Sequence, residues 1–246
     1  MTSAQIDRLG QRLKTDELTE ADLRALDDYR QSFASAYAVV LEVIRERLGL
    51  QPTGRIAKST ASIVDKLRRE SIRLSQMQDI AGCRLVVPDI ESQNRIGELL
   101  RTNFEHVTVV DRRGRPSHGY RAVHLIVRCN GKLVEIQVRT EAQHLWAEIS
   151  EKLADRFDPA LKYGAGPAEP RDELAALSRL IANEEGAEDA LAVVSKVATV
   201  SPLPDEVRKN VEEAQELLSK QRDKLHTSMQ NFLTSLPVLL GGEDSK

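Results

Sequence analysis

Aromatic residues make up only 4% of this 246-residue chain, so aliphatic side chains must fill most of its core. Cysteine is scarcer still. Cys83 and Cys129 are the two present, each inside a strand-like run. A single pair builds neither a disulfide framework nor a zinc site, so both are read as reduced core residues of a cytosolic protein. Net charge is small, −3, which supplies no bulk attraction for nucleic acid. Any such binding needs a local basic patch. No apolar run approaches the ~20 residues that span a bilayer. Met1–Lys14 is polar and charged, unlike a signal peptide, so a cytoplasmic location with no membrane partner is expected. There is no repeat or low-complexity segment.

What is present is an ordinary soluble composition, 41% hydrophobic and 30% charged. The length suits one large domain, or a domain with helical appendages. A short helix is predicted over 3–14 and a long one from Thr19 to about Leu48. In the latter, Leu23, Leu26, Tyr29, Phe33, Tyr37, Val40, Ile44 and Leu48 recur every three or four residues and form one apolar face. A basic helix is predicted over 55–69, with Ile63 and Leu67 turned inward. Lys58, Ser62 and Lys66 are spaced by four along it, so they line one face. That face reads either as solvated or as a phosphate-binding edge.

Further on, the pattern predicts a buried strand after Asp79, a helix over 90–104 and a strand over 106–111. A basic turn, Arg112-Arg113-Gly114-Arg115, leads to a strand over 120–128. Asn130-Gly131 then signals a tight antiparallel hairpin into Lys132–Thr140. This last strand alternates strictly. Val134, Ile136 and Val138 share one face; Glu135, Gln137 and Arg139 share the other. The polar row reads either as a solvated face or as a sheet face turned to a polar ligand. A helix over 141–157 follows, and helices over 171–185, 186–198 and 204–235 complete the chain.

Asp79 and Glu135 are the acidic residues that stand out. Two carboxylates on one sheet can hold Mg²⁺, which takes one or two carboxylates, water and substrate phosphates. Lys58, Lys66, Arg68 and Arg69 are candidate neutralisers of phosphate, with Arg84, Arg139 and the 112–115 cluster as further ones. From spacing alone the pairing is weak, because the two acids are far apart in the chain. Tyr120 follows a glycine after the basic turn. It reads either as a core tyrosine or as a ring delivered to stack on a nucleobase.

Four blocks then act together. They are Asp79-Ile80-Ala81-Gly82-Cys83-Arg84, Gly119-Tyr120-Arg121-Ala122-Val123-His124, Val134-Glu135-Ile136-Gln137-Val138-Arg139-Thr140 and His144-Leu145-Trp146-Ala147-Glu148. In order and spacing they resemble the RelA/SpoT synthetase family. The resemblance covers about residues 40–165. It implies an α+β fold: a nucleotidyltransferase-like mixed β-sheet flanked by helices, with N-terminal helices over 1–39 and a C-terminal helical extension over 166–246. It implies a GTP diphosphokinase-type enzyme that moves pyrophosphate from ATP to the ribose 3′-hydroxyl of GDP or GTP, with Mg²⁺, making (p)ppGpp.

By the same resemblance, Asp79 and Glu135 are the Mg²⁺-binding and catalytic acids, Glu135 also serving to activate the hydroxyl. Lys58, Ser62, Lys66 and Arg84 fall on the ATP side. Tyr120, with His124, Gln137 and Arg139, falls on the acceptor side. Two features depart from the family pattern. Ile56 stands where an arginine is usual, with Arg55 one further back, and Pro116-Ser117-His118 replaces a usual Lys-Pro-Asn. The stretch from Ser150 through Lys162-Tyr163-Gly164 looks most like the toxic small alarmone synthetases. The alternative acceptor is therefore the 3′ end of tRNA, which would inhibit translation. A catalytically silent nucleotide-binding regulator is the third reading. No His-Asp pair occurs among the five histidines, so a small synthetase without the family's hydrolase domain is expected. The C-terminal helices are candidates for self-association or for docking an antitoxin.

Overall fold

The computed structural model describes residues 1–15, 18–201 and 203–240. The side chains of Arg55, Thr199 and 237–240, and the last six residues of the expected C-terminal extension, lie outside the described part. By internal contacts the chain divides into two compact units. The first comprises Met1–Leu85, Gly97–Val110 and His124–Val138. The second comprises Val86–Ile96, Asp111–Val123 and Arg139–Lys246.

The first unit opens with helix α1 (Ser3–Arg12), started by a capping box between Thr2 and Gln5. Helix α2 (Glu20–Gln31) starts the same way from Thr19 and Asp22, where the reciprocal bonds satisfy two otherwise orphaned N–H groups. The predicted helix from Thr19 to Leu48 is corrected here. It breaks after Gln31, and α3 runs Ala34–Glu42 into a π turn at Val43–Arg47. The Ser32 hydroxyl donates to the Tyr29 carbonyl at 2.6 Å. The Phe33 N–H reaches back only three residues, to Arg30. A side-chain bond that competes with the helix ladder bends or ends it, and the apolar stripe carries on past the break.

Residues 53–55, predicted as loop running into the basic helix, form edge strand β1 (Thr53–Arg55), paired antiparallel with β2 (Ala81–Val87). The basic helix itself, α4, covers only Thr60–Arg69. Ser59 caps it by accepting from the Ser62 N–H. Helix α5 (Ile90–Asn103) and strand β3 (Val107–Asp111) fall where predicted. Strand β4 starts at Val123 rather than Tyr120 and ends at Cys129. It turns through Asn130 and Gly131, both at positive φ, into β5 (Lys132–Thr140). That is the two-residue hairpin that Asn-Gly favours.

The five strands form one mixed sheet in the order β1-β2-β5-β4-β3, so the fold is α+β with β5 at the centre. The interior is aliphatic, as the scarcity of aromatics requires. Ile63, Leu67, Leu74, Ile80, Leu125, Val134, Ile136 and Val138 are all essentially inaccessible. Cys83 is buried, Cys129 half-buried, and both are free thiols.

The second unit is built on helix α6 (Glu141–Arg156), a 3₁₀ turn at Pro159–Tyr163, and two long helices. These are α7 (Ala168–Val200) and α8 (Asp205–Leu240). The two predicted helices over 171–185 and 186–198 are one helix. Gly186 sits inside it with open space where a Cβ would be. An interior glycine costs only about 1 kcal/mol, too little to end a helix held by packing. Leu145, Trp146, Ile149, Leu153, Leu174, Ile181, Met229 and Leu236 share one apolar core among the three helices. Among the described residues no helix is long and apolar enough to cross a membrane.

Candidate active site

In the first unit, Asp79 is the hub of a cationic clamp. Lys58 Nζ donates to its Oδ2 at 2.7 Å, and Lys66 Nζ to its Oδ1 at 2.9 Å. Burial pushes the Asp79 carboxyl up. The charges and hydrogen bonds of Lys58 and Lys66 outweigh it and hold the group below the usual carboxylate range. Lys58 is not on the helix face that its spacing suggested. It precedes the cap Ser59 and is pinned by its backbone: its N–H donates to the Ile80 carbonyl, and its carbonyl accepts from Arg30 Nε at 2.8 Å. Lys66 comes from the second turn of α4. Ser62 does not join them; its hydroxyl accepts from Ser59 Oγ at 2.8 Å.

Glu135, on central strand β5, lies in the same unit. Its Oε1 is 2.8 Å from His124 Nδ1, and its Oε2 accepts from Gln137 Nε2 at 2.7 Å. A carboxylate can only accept, so Nδ1 carries the proton. Burial is the largest influence and raises the Glu135 carboxyl, and Asp79 adds repulsion. His124 and Gln137 overcome both and hold it low. Asp79 and Glu135, far apart in sequence, are thus close enough to act on one another's charge. The polar row of β5 is not a solvated face, since the Glu135 side chain is only 12% exposed. Gly82 on β2 explains the close approach. A Cβ there would stand 2.8 Å from the Glu135 carbonyl oxygen, so the two strands meet tightly only because position 82 has no side chain. Arg84, two residues on, is half-buried on β2.

Tyr120 and Arg139 belong to the second unit and are brought together there. Arg139 donates to the Tyr120 hydroxyl from Nη2 at 2.9 Å and from Nε at 3.2 Å. Its guanidinium carbon also lies 4.9 Å from the ring centroid. Tyr120 is not in the strand predicted for it. It closes a small turn with Ser117, across His118 and Gly119 at positive φ. In the basic turn before it, Arg113 grips Asp111 at 2.6 Å and Asn94 at 2.6 Å.

Residue-by-residue reading of the sequence missed one group entirely. Arg121, inside one of the four blocks but given no role, donates to Glu185 on α7 at 2.7 Å and also bonds the Arg113 carbonyl. One glutamate among several midway along a 33-residue helix carries no sequence signal.

Comparison with known proteins finds a family model that matches part of the chain. The model described as "Region found in RelA / SpoT proteins" matches residues 54–155. These residues are similar to a RelA/SpoT region. Every candidate residue from Lys58 to Arg139 falls inside this RelA/SpoT region, whereas Ser178 and Glu185 lie beyond it.

Among curated relatives, an uncharacterized protein of Mycobacterium tuberculosis is 37% identical over 115 residues, covering 45% of this chain and 42% of the relative. GTP pyrophosphokinase YjbM of Bacillus subtilis is 41% identical over 122 residues, covering 43% and 56%. The chain thus spans about half the length of the curated relatives it matches. Among solved structures, small alarmone synthetase 1 of Bacillus subtilis superposes with a TM-score of 0.51 at 28% identity, over 74% of this chain and all of that one. Bound to its product pppGpp, the same enzyme gives 0.52 at 27%, over 73% and 99%.

Proposed function

We propose that the chain is an alarmone synthetase. It transfers pyrophosphate from ATP to the ribose 3′-hydroxyl of GDP or GTP and makes (p)ppGpp. The observation that carries this is the pairing of Asp79 and Glu135 within one unit, both held ionised, beside two lysines. The similarity to a synthetase solved with pppGpp supports the same reading.

The residues fit Mg²⁺. Among the described residues no group of three or more His, Cys, Asp or Glu gathers as a cage. Mg²⁺ needs none, since it takes one or two carboxylates and fills its shell with water and substrate phosphates. Asp79 and Glu135 would hold it, and when bound it supplies positive charge to the phosphate oxygens.

The chain's own groups do the rest. Lys58 and Lys66 leave Asp79 to neutralise ATP phosphates, and Arg84 and Ser62 are secondary candidates on that side. Glu135, kept as a carboxylate by His124 and Gln137, accepts the proton of the 3′-hydroxyl. The hydroxyl oxygen forms a bond to the β-phosphorus of ATP, the bond from that phosphorus to the α-phosphate oxygen breaks, and AMP leaves. Tyr120 and Arg139 hold the acceptor base and orient the ribose. Most of the rate comes from alignment and charge rather than from covalent chemistry on the protein.

Purified protein is offered ATP labelled at the β- and γ-phosphates with Mg²⁺ and, in parallel, GDP, GTP and tRNA. Labelled tetra- or pentaphosphate that disappears in Glu135→Gln is the expected result. Label on the tRNA 3′ end instead would replace this acceptor with the translation-blocking one, and no transfer to any acceptor would leave only a nucleotide-binding protein.

A further inference from the structure

We infer that Glu185 and Ser178, on α7 outside the RelA/SpoT region, are positioning residues for the acceptor side: they clamp the residues on either side of Tyr120 and the residue next to Arg139. The inference rests on the reading of Tyr120 and Arg139 as acceptor-binding groups.

Glu185 is buried, with only 6% of its surface exposed, and its hydrogen bonds converge on this one place. Its Oε2 accepts from Arg121 Nη2 at 2.7 Å and Nε at 3.3 Å. Its Oε1 accepts from the Thr140 hydroxyl at 3.0 Å and from Gln143 Nε2 at 2.5 Å. Arg121 follows Tyr120 in the chain, and Thr140 follows Arg139. One carboxylate therefore ties down the neighbours of both groups, and these two groups bond each other. Ser178 works from the other side: its hydroxyl donates to the carbonyl of Gly119, the residue before Tyr120, at 2.7 Å. Ser178 and Glu185 are seven positions apart, about two helical turns, so they share one face of α7. Below them Trp146 completes the seat. A Cβ at Gly119 would stand 2.7 Å from its ring, and its indole N–H donates to the Leu174 carbonyl at 2.8 Å, fastening α6 to α7.

A fold that needed only to cover an apolar face of α6 would do so with aliphatic side chains. Placing a buried carboxylate and a buried hydroxyl there is costly unless each is bonded. Both are, and both to segments that flank Tyr120. The clamp uses two charge-assisted bonds from Arg121 to one oxygen of Glu185, which leaves the other oxygen for Thr140 and Gln143. What it holds is a turn at positive φ that would otherwise be free to swing the Tyr120 ring.

The test measures KM for ATP and for the acceptor nucleotide separately in wild type, Glu185→Ala, Glu185→Asp and Ser178→Ala. Displacement of a bound substrate by about 1 Å can cost on the order of 10²-fold. Glu185→Ala is expected to raise acceptor KM by that order with ATP KM nearly unchanged. Ser178→Ala should give a smaller rise of the same kind, and Glu185→Asp a partial recovery. Equal loss on both substrates, or unchanged acceptor KM, overturns the inference.

Hydrogen exchange keeps it testable if the wild-type protein transfers nothing to any acceptor and the functional reading falls. The variants should lose amide protection over 117–123 while β5 and α7 keep theirs. Unchanged protection over 117–123 overturns the clamp itself. Ser178→Ala removes one hydroxyl only, so it answers the question even if Glu185→Ala does not fold.

Discussion

His124 Nδ1 stands 2.8 Å from Glu135 Oε1, and that one bond decides which way the Glu135 carboxyl is pushed. Burial and Asp79 both favour the protonated acid; His124, with help from Gln137, reverses them. A group whose pKa is depressed stays ionised until pH falls through the lowered value. Activity that needs the carboxylate should therefore persist well into acid solution. His124→Ala removes the largest lowering influence and leaves the two raising ones. Its acid limb should move to higher pH, and kcat at neutral pH should drop on the order of tenfold to a hundredfold through lost orientation. A pH–rate profile of both proteins checks the direction; a limb that stays in place would show that another group controls it.

Asp79 makes the complementary case. Its charge is what Lys58 and Lys66, only 17% and 21% exposed, are folded around. Asp79→Asn keeps the shape and removes the charge, leaving two poorly solvated cations facing each other. A loss on the order of 2 kcal/mol at pH 7 is expected in urea unfolding. Because the folded-state carboxyl is depressed, its contribution is present above the unfolded value and lost as pH falls through the folded one. The gap between wild type and Asp79→Asn should accordingly shrink in acid.

How far this is legible in the sequence differs from group to group. The alternation that puts Glu135, Gln137 and Arg139 on one face of β5 is a local period of two, and it survives folding unchanged. The hairpin at Asn130-Gly131 is local as well. Asp79 beside Glu135 is suggested by the family blocks rather than by spacing, since two strands have to be paired before the acids can meet. Spacing misplaces Lys58 because Lys58, Ser62 and Lys66 have a helical period, but the stronger capping residue, Ser59, lies between the first two. Pattern assigns Tyr120 to a strand because its neighbours Ala122 and Val123 are strand-like; the turn that holds it depends on Trp146 and Ser178, which are distant in sequence. Glu185 is invisible for the same reason. The meaning of its carboxylate comes entirely from Arg121, Thr140 and Gln143.

Gly82 offers a test of the strand contact that brings the acids together. Gly82→Ala would place a methyl group 2.8 Å from the Glu135 carbonyl oxygen and 3.4 Å from its Cβ, and backbone cannot give way as a flexible side chain can. Overpacking of this kind costs about 1–3 kcal/mol. Because the strain falls on Glu135 itself, activity should fall further than stability accounts for. Thermal unfolding and kcat measured together separate the two; full activity in a destabilised but folded protein would mean that β2 and β5 adjust without moving the carboxylate.

In the helical second unit, stability is tied to pH through Glu184. Burial, reinforced by the charges of Glu188, Glu185 and Asp223 and only partly relieved by Arg222, pushes its carboxyl up to about 7. Its Oε1 is buried with no hydrogen-bond partner. The folded state therefore holds a proton between the unfolded value, near the usual 4.5, and about 7, where the unfolded chain has already released it. Where the folded state binds more protons, stability falls as pH rises. The second unit should thus be most stable below the unfolded value and lose stability up to about pH 7, by an amount on the order of 2 kcal/mol. Glu184→Gln takes away the charge and keeps the volume. It should leave the melting temperature nearly unchanged at pH 5 and raise it by several degrees at pH 8, consistent with roughly 2–4 °C per kcal/mol for a chain of this size. Melting curves at the two pH values decide it: a variant equally stabilised or destabilised at both would show that Glu184 is already ionised at pH 5, with Arg222 carrying its charge.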